Sequence, residues 1–407
     1  MDTPKDPGTT NFTRRTFIES GVVAGTILAS GGTKVATAEE KTRAEATKPS
    51  SAQYQVIVVG LGAMGSACVY HLAKRGIRVL GIEQFDIGHG LGSSGGQTRQ
   101  TKLVHYVGTP DEPLIRRSFE LWRQLEKETR QPVFEQTGWI WYRANGNWDY
   151  LAGKCDYEFL GPEQLRQRYP QIVVPDHYNG LLDPAGGLIR SEQAIACHCL
   201  VALEHGAELH GREKMLGWEE NDKHVDVRTD RGNYRADQIV FCGGAWTGKL
   251  LEDLNRRLSV TRLALGWVWP NDKNRFALGK MPIWKIDDYY GFPILPDYPG
   301  FKLAKHWQGK PTDPDHIDRE PNRGDEQQIR ECLAQHFPAA DNPLLAVKIC
   351  MYTHGGPFVS RHPKFRRVSL AAAFGGGGFK FSNVYGEALA DLSTANDTTL
   401  PIKHLVL

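Results

Sequence analysis

A short apolar stretch followed by three spaced glycines constrains this chain more than any other feature. Residues 55–59 read Gln-Val-Ile-Val-Val, and Gly60, Gly62 and Gly65 follow in a Gly-x-Gly-x-x-Gly pattern before a helix-forming run. This order is typical of a strand, a tight turn and a helix N-terminus that together bind the pyrophosphate of a dinucleotide. A second strand pattern ends at Glu83, at the spacing of an acid that contacts the ribose. The sequence therefore predicts a nucleotide-binding βαβ unit.

The composition excludes several other classes of protein. With 407 residues the chain is long enough for two domains, and its formal charge of +2 favours neither a nucleic acid nor a membrane surface as partner. No apolar run reaches the roughly 18 residues that a membrane-spanning helix needs. The seven cysteines include no Cys-x-x-Cys pair, so we predict no metal site and no dense disulfide framework.

The N-terminal residues resemble a targeting segment. Arg14 and Arg15 precede a weakly apolar stretch at 21–30, and Ala-Thr-Ala at 36–38 resembles a cleavage site. We interpret residues 1–38 as a bacterial twin-arginine signal peptide and 39–52 as a linker. This predicts a periplasmic or otherwise exported protein that uses the twin-arginine export machinery. The alternative is a basic tail with no targeting role.

Two further buried strands run into glycines. Residues 234–242 are followed by two glycines, and residues 369–374 by four. The intervening segment 262–303 is rich in aromatic residues in short alternating runs, which predicts an antiparallel sheet. We predict a two-domain α/β fold, in which a Rossmann-like nucleotide-binding domain is interrupted by an antiparallel-sheet substrate domain. The predicted limits are 53–137, 187–260 and 357–407 for the first domain, and 138–186 and 261–356 for the second.

Motifs spread from about residue 53 to the C-terminus resemble one family. The chain resembles the D-amino-acid-oxidase-like flavoproteins, in the branch of monomeric sarcosine oxidase and N-methyltryptophan oxidase. The motifs that carry the resemblance, besides the first glycines and Glu83, are Gly-Gln-Thr-Arg at 96–99, Tyr-Gly-Phe-Pro at 290–293, Gly-Phe-Lys-Leu at 300–303 with His306, Cys-Met-Tyr-Thr at 350–353 and Gly-Phe-Lys-Phe-Ser at 378–382.

The resemblance implies FAD as the cofactor, bonded covalently through Cys350. Without its motif, Cys350 would be interpreted as a small buried hydrophobic residue. The residues expected to bind the cofactor are Gly60, Gly62, Gly65, Glu83, Thr98, Cys350, Gly376 and Gly378.

The resemblance also implies roles for charged and aromatic residues. Lys302 and Arg99 are expected at the flavin, where a fixed cation stabilises the negative charge that develops during reaction with O2. Tyr290 and His306 are the other expected catalytic residues. Lys380 and Lys102 are expected to bind the substrate carboxylate, although relatives carry Arg at the position of Lys102, and Lys cannot form the bidentate fork of Arg. Relatives carry His where this chain has Gly95, and we expect this difference to leave room near the flavin.

The implied activity is FAD-dependent oxidation of a secondary amino acid, N-methyl or cyclic, to an imine, with O2 reduced to H2O2. The expected partners are a small amino acid or amine and O2. Three alternatives remain open. They are a dehydrogenase of the same fold that passes electrons to a quinone or carrier, a non-catalytic flavoprotein, and an NAD-dependent dehydrogenase built on the same glycine motif.

Overall fold

The computed structural model describes residues 53–306 and 309–407. The predicted signal peptide (1–38) and linker (39–52) lie outside these residues, and both stay predictions.

The helices of the described chain are α1 (Ala63–Lys74), α2 (Glu112–Thr129), α3 (Pro162–Arg168), α4 (Ser191–Glu204), α5 (Thr247–Leu250), α6 (Arg323–His336) and α7 (Ser382–Thr394). The strands in the same residues are β1 (Gln53–Val59), β2 (Val79–Ile82), β3 (Thr98–Thr101), β4 (Phe134–Glu135), β5 (Trp139–Ala144), β6 (Glu158–Leu160), β7 (Tyr178–Asp183), β8 (Gly187–Arg190), β9 (Glu208–His210), β10 (Met215–Glu220), β11 (Val225–Thr229), β12 (Asn233–Phe241), β13 (Ser259–Val268), β14 (Ile283–Ile286), β15 (Tyr289–Phe292), β16 (Phe301–Lys305), β17 (Lys310–Pro311), β18 (Leu344–His354), β19 (Phe358–Arg361) and β20 (Val368–Ala372).

The first sheet is built on the predicted βαβ unit. β1 pairs in parallel with β2 and β12, and β12 pairs in parallel with β20. The alternation along β1 divides its side chains between two cores: Val56 and Val58 pack in the core that contains α1 and α7, while Ile57 and Val59 pack with the β10–β11 hairpin. Parallel strands bring their carboxyl ends to one edge of a sheet, so the turns after β1, β12 and β20 meet there.

The second sheet has β13, β14, β15 and β16 at its centre, with β5, β6 and β7 on one side and β17 and β18 beside β13. One of its faces is covered by α6, whose Ile329 and Leu333 join Phe301 and Leu303 of β16 in a buried core. The pairs are antiparallel as predicted, except that β14 pairs in parallel with β5. That exception arises because β5 and β14 are far apart in sequence and need no hairpin between them.

A small third sheet, in the order β3-β8-β4, carries residues 98–101. The mixed α/β architecture confirms the predicted fold class, whereas the residue limits of the two domains stay a prediction. Within residues 53–306 and 309–407, no helix is both long and apolar enough to span a membrane.

Candidate active site

A cleft opens at the edge where β1, β12 and β20 end. Its lining comes from residues 59–64, 242–246 and 371–375, together with Glu83 and the loop that contains Ser93 and Ser94. These segments are far apart in sequence, and the parallel sheet brings them together. The cleft therefore lies where an open α/β sheet binds its ligand, outside the carboxyl ends of the strands.

The three glycines of the first turn meet three different requirements. Gly60 has φ +91°, and a Cβ there would lie 2.5 Å from the Cys242 carbonyl oxygen. A Cβ on Gly65 would lie 1.8 Å from the Gly60 carbonyl oxygen, so Gly65 lets α1 pack on the turn. A Cβ on Gly62 would have only Ser94 Oγ nearby, at 3.7 Å, so the space before Gly62 is open to the cleft. This cradle fits a pyrophosphate bound by backbone N–H groups.

Glu83 is buried at the end of β2 and lines the cleft. Its Oε2 accepts a hydrogen bond from Leu61 N at 2.9 Å, and its Oε1 accepts one from Phe85 N at 3.1 Å. His89 Nε2 lies 3.4 Å from the same Oε1. The carboxylate thus fixes the glycine turn. Each of its oxygens can accept a further hydrogen bond, which leaves it able to make the predicted contact with a ribose hydroxyl.

The second sheet presents one face to the loop that contains Ser93 and Gly96. Residues directly opposite in neighbouring strands share a face. One such row runs Trp141, Lys285, Tyr290, Ala304, Leu265 and Lys348. The next row on that face includes Phe292, Lys302 and Trp267. Cys350, opposite Leu263, belongs to the same side. We call this surface the loop face, and it collects most of the predicted site residues.

Lys302 is almost completely buried, with 3% exposure. Its Nζ donates hydrogen bonds to the carbonyl oxygens of Gly96 (2.5 Å) and Thr98 (2.9 Å) and to Thr98 Oγ1 (3.1 Å). Burial, and then the charge of Arg99, hold the pKa of Lys302 well below its usual range. The predicted catalytic lysine therefore anchors the loop, and the predicted cofactor residue Thr98 is one of its acceptors.

Arg99 also holds this loop. Its guanidinium donates to the carbonyl oxygens of Thr98 (2.7 Å), Ser93 (2.7 Å) and Gly95 (2.5 Å). The expectation that Gly95 leaves room is wrong. A Cβ at Gly95 would lie 2.8 Å from the Gly90 Cα, because the loop backbone already fills this space.

The two predicted substrate-binding lysines are brought close to one another, and both are buried. Lys102 Nζ donates to Gln100 Oε1 at 3.3 Å and lies 4.6 Å from the centroid of the Trp139 ring. Lys380 Nζ donates to the Gly377 carbonyl oxygen at 2.6 Å. Burial, and then the charge of Lys380, lower the pKa of Lys102 well below its usual range. A carboxylate placed between the two ammonium groups would relieve this repulsion.

Tyr290 and His306 are joined by a residue that we did not predict, Tyr352. His306 Nδ1 lies 3.2 Å from Tyr352 Oη, and the rings of Tyr290 and His306 are 6.3 Å apart. Burial raises the pKa of both phenols, so both are neutral hydrogen-bonding groups at neutral pH. The imidazole keeps an exposed edge, but desolvation, followed by the charge of Lys285, lowers the pKa of His306.

Cys350 lies on β18 at 5% exposure. Its Sγ is 3.8 Å from the Ser93 carbonyl oxygen, and both Ser93 and Thr353 line the cleft. The sulfur thus lies at the junction of the cleft and the loop face. This is a position from which a thiol can reach a ring bound across the two.

Gly376 and Gly378 do not line the cleft, although Gly375 does. A Cβ on Gly376 would lie 2.6 Å from Tyr352 Oη, and one on Gly378 would lie 2.4 Å from the Phe374 Cβ. Both glycines therefore permit close packing beside the cleft. Their predicted cofactor contacts stay predictions.

Further side chains at this site were missed by sequence reasoning. They are Tyr352, Lys285, Trp141 and His105. Lys285 and Trp141 lie on the loop face because side chains alternate along β14 and β5. This could be predicted only if the strand register were already known. No sequence signal would have identified His105. The residue as a whole is exposed, yet desolvation of its ring by packed neighbours, and then the charge of Lys102, lower its pKa to about 4. Among the described residues, no cluster of His, Cys, Asp and Glu could hold a metal ion.

The fold and the site define a dinucleotide-binding protein in which the loop face of the second sheet lies beside the nucleotide cleft. Residues 55–392 match the model of the DAO family, described as FAD dependent oxidoreductase. The chain is 34% identical over 367 residues to monomeric sarcosine oxidase from Bacillus sp. (strain NS-129), covering 86% of this chain and 95% of that protein. It is 27% identical to N-methyl-L-tryptophan oxidase from Salmonella heidelberg (strain SL476), covering 84% and 95%.

Among solved structures, the chain is similar to a variant of NikD, described as an unusual amino acid oxidase essential for nikkomycin biosynthesis. The TM-score is 0.77 at 25% identity, covering 88% of this chain and 97% of that chain. The chain belongs to the DAO family of FAD-dependent oxidoreductases, which confirms the resemblance and identifies FAD as the dinucleotide.

Proposed function

We propose that the protein is an amine oxidase that oxidises the C–N bond of a secondary amino acid, N-methyl or cyclic, to an imine. One arrangement supports this most directly. A buried lysine, Lys302, and the Tyr290–His306–Tyr352 group share the loop face with Cys350. Two further buried lysines, Lys102 and Lys380, lie close together at the site.

The overall chemistry balances with O2 and water. Bound FAD would supply the two-electron acceptor. The substrate loses a hydride, which is a proton with two electrons, from carbon and a proton from nitrogen, and O2 takes up two electrons and two protons to give H2O2. Water adds to the imine and releases an amine and a carbonyl compound.

The protein's own side chains bind and orient the substrate. Lys102 and Lys380 bind the carboxylate, which places the adjacent amine near the loop face. Further positive charge is unfavourable beside these lysines, so the site favours the neutral amine, whose lone pair assists oxidation. We expect the reduction rate to rise with pH, and a flat profile from about pH 6 to about pH 10 would contradict this role of the lysines.

The test is anaerobic reduction of the purified yellow protein by a panel of N-methyl and cyclic secondary amino acids. The expected result is loss of visible flavin absorbance with at least one of them, followed by rapid recovery and H2O2 formation when air is admitted. Slow recovery in air that a quinone accelerates would instead identify a dehydrogenase. The absence of bleaching by any amine would identify a non-catalytic flavoprotein.

We also propose that Cys350 carries the flavin covalently. The position of its Sγ beside Ser93 at the cleft supports this attachment. Acid-denatured protein should keep its yellow colour, and mass spectrometry should find the flavin on the peptide that contains Cys350. Cys350→Ala should release the flavin on denaturation, whereas Cys332→Ala, a buried cysteine against the opposite face of the sheet, should not.

Export through the twin-arginine pathway is proposed from the sequence of residues 1–38. A reporter fused to this segment should reach the periplasm of a bacterial host. Changing Arg14 and Arg15 to Lys should retain the reporter in the cytoplasm, and unchanged export would reject the proposal.

A further inference from the structure

Three lysines at the site form no salt bridge with any described residue. We define the lysine cluster as Lys102, Lys285 and Lys380. Among residues 53–306 and 309–407, none of the three ammonium groups forms an ion pair with a carboxylate. Lysines are seldom withdrawn from water without a counter-charge. Asp183 near Lys102, and Asp288 and Asp287 near Lys285, offset only part of the lowering of the lysine pKa values, and none of them forms an ion pair with the cluster. The folded chain therefore supplies the cluster with no salt-bridge partner.

Asp183, the buried acid whose charge acts on Lys102, is already hydrogen-bonded to the backbone. Asp183 is fully buried, and its carboxylate accepts hydrogen bonds from the backbone N–H groups of Leu103 (2.5 Å), Val104 (3.0 Å) and Ala185 (3.0 Å). These donors hold the turn between β3 and α2 against the end of β7. Asp183 thus acts as a structural hydrogen-bond acceptor and forms no ion pair with the lysine cluster.

Lys285 lies beside the predicted catalytic tyrosine. The strand register places it directly between Trp141 of β5 and Tyr290 of β15, and all three side chains share the loop face. Its half-buried Nζ is 5.0 Å from the centroid of the Trp141 ring. The exposed Asp287 and Asp288 follow β14, and Asp287 accepts a hydrogen bond from Tyr178 Oη at 2.7 Å. An ammonium group therefore projects from the wall of the site at a point that neither Lys102 nor Lys380 occupies.

The three charges act on the same neighbours. After desolvation, Lys285 is the largest influence that lowers the pKa of His306, and Lys102 and Lys380 follow. The same three lysines lower the pKa of His105. Lys285 also lowers the pKa of Lys102, after burial and Lys380. A single substrate carboxylate bound between Lys102 and Lys380 would leave Lys285 without a salt-bridge partner.

We propose that the substrate is a secondary amino acid with a second carboxylate. Lys102 and Lys380 bind the carboxylate next to the amine, and Lys285 binds the second one beside Trp141, whose ring contacts the carbon chain between them. The inference rests on the proposed amine-oxidase function and narrows its substrate class. It also assigns Lys285 as a residue that determines specificity.

The first test compares substrates that differ only in charge. N-methyl-L-glutamate and its neutral amide, N-methyl-L-glutamine, have nearly the same shape. We expect kcat/KM for the acid to exceed that for the amide by about tenfold or more, because a charged hydrogen bond is lost in the amide. In Lys285→Gln this ratio should fall to near one, and Lys285→Arg should restore most of it. Lys280→Gln, which changes an exposed lysine of the preceding loop, should keep the ratio. A wild-type ratio near one, or a ratio that survives in Lys285→Gln, would overturn the proposal.

The second test does not require turnover. Glutarate and butyrate are unreactive and differ by one carboxylate, and each can be titrated into the holoprotein while the visible flavin spectrum is recorded. Tighter binding of glutarate by about tenfold or more, lost in Lys285→Gln, supports the proposal, and equal binding overturns it. If no secondary amine reduces the flavin, the amine-oxidase function fails, yet this titration still decides whether the cluster selects two carboxylates.

Discussion

Lys302 illustrates how a single side chain shapes the site. The backbone of the loop at Gly96 lies between opposite charges: Gly96 N donates to Glu192 Oε1 at 2.8 Å, and the Gly96 carbonyl oxygen accepts from Lys302. Gln97, the next residue, has φ +71°, which the same two contacts help to hold. The lysine therefore combines a structural role with its predicted electrostatic role toward O2.

Lys302→Met should separate the two half-reactions. The substitution removes the buried cation, so reoxidation by O2 should slow by roughly a hundredfold or more, whereas anaerobic reduction by substrate should persist. Stopped-flow absorbance measures both steps. Lys305→Met is the matched control, because Lys305 lies on the same strand with its Nζ 5.5 Å from the centroid of Tyr289 on the opposite face. An unchanged rate of flavin reoxidation by O2 in Lys302→Met would contradict the predicted role of Lys302 in the reaction with O2.

Gly62→Ala and Gly65→Ala should fail in different ways. A Cβ on Gly65 would collide with the Gly60 carbonyl oxygen, so this variant should lose thermal stability even without cofactor. A Cβ on Gly62 meets no protein atom closer than 3.7 Å but enters the cleft. Gly62→Ala should therefore melt like the wild type as apoprotein and retain less FAD. Differential scanning fluorimetry measures the melting temperature of both variants, and flavin absorbance measures how much FAD each retains. Equal FAD retention in Gly62→Ala and wild type would contradict the predicted binding of the pyrophosphate at this turn.

At the scale of elements, helix packing beneath the first sheet buries two histidines. His71 of α1 has Nε2 3.1 Å from the Asn383 carbonyl oxygen, and His198 of α4 has its ring 5.2 Å from the Tyr70 ring. Burial lowers the pKa of each from 6.5 to about 3. The contact between these helices thus requires neutral imidazoles.

This packing predicts acid-sensitive stability. Below about pH 6.5 the unfolded chain binds protons that the folded chain does not, so stability falls as the pH drops toward about 3. One such histidine accounts for about 3 kcal/mol between pH 7 and pH 4. Between pH 7.5 and pH 4.5, the melting temperature should fall by less in His198→Phe than in wild type. His316→Gln, in which an exposed ring is replaced, should match the wild type, and an unchanged slope in His198→Phe would contradict the prediction.

At the scale of the whole molecule, the cleft predicted to bind FAD joins segments from both ends of the described chain. Residues 59–64, 242–246 and 371–375 meet at it, and the loop at 93–98 connects it to the second sheet. A ligand bound there contacts elements that otherwise meet only along the sheet edge. We therefore expect cofactor binding to contribute strongly to global stability.

The contribution of FAD to stability can be measured in Cys350→Ala, because this variant should bind FAD without a covalent bond and release it reversibly. The melting temperature of the apoprotein should rise with FAD concentration, with a stabilisation of about 2.7 kcal/mol at a hundredfold excess over Kd. NAD is the control ligand and should have no effect. Stabilisation by NAD rather than FAD would reject the cofactor assignment.

The linear sequence determined the parts of this protein that depend on neighbouring residues. The glycine turn, the buried strand before it and Glu83 lie within one βαβ unit, so spacing alone predicted a nucleotide site there. Motif resemblance placed Lys302, Tyr290 and Cys350 at one site before any fold was known.

Tertiary structure decided what those residues contact. Lys285 and Trp141 are more than a hundred residues apart, and only strand pairing aligns them with Tyr290 on the loop face. Gly95 was predicted to leave space that the Gly90 backbone fills, because a residue's neighbours across a loop cannot be derived from its neighbours along the chain. Local spacing determines backbone geometry, whereas register and packing determine which charges meet, and the substrate class depends on those charges.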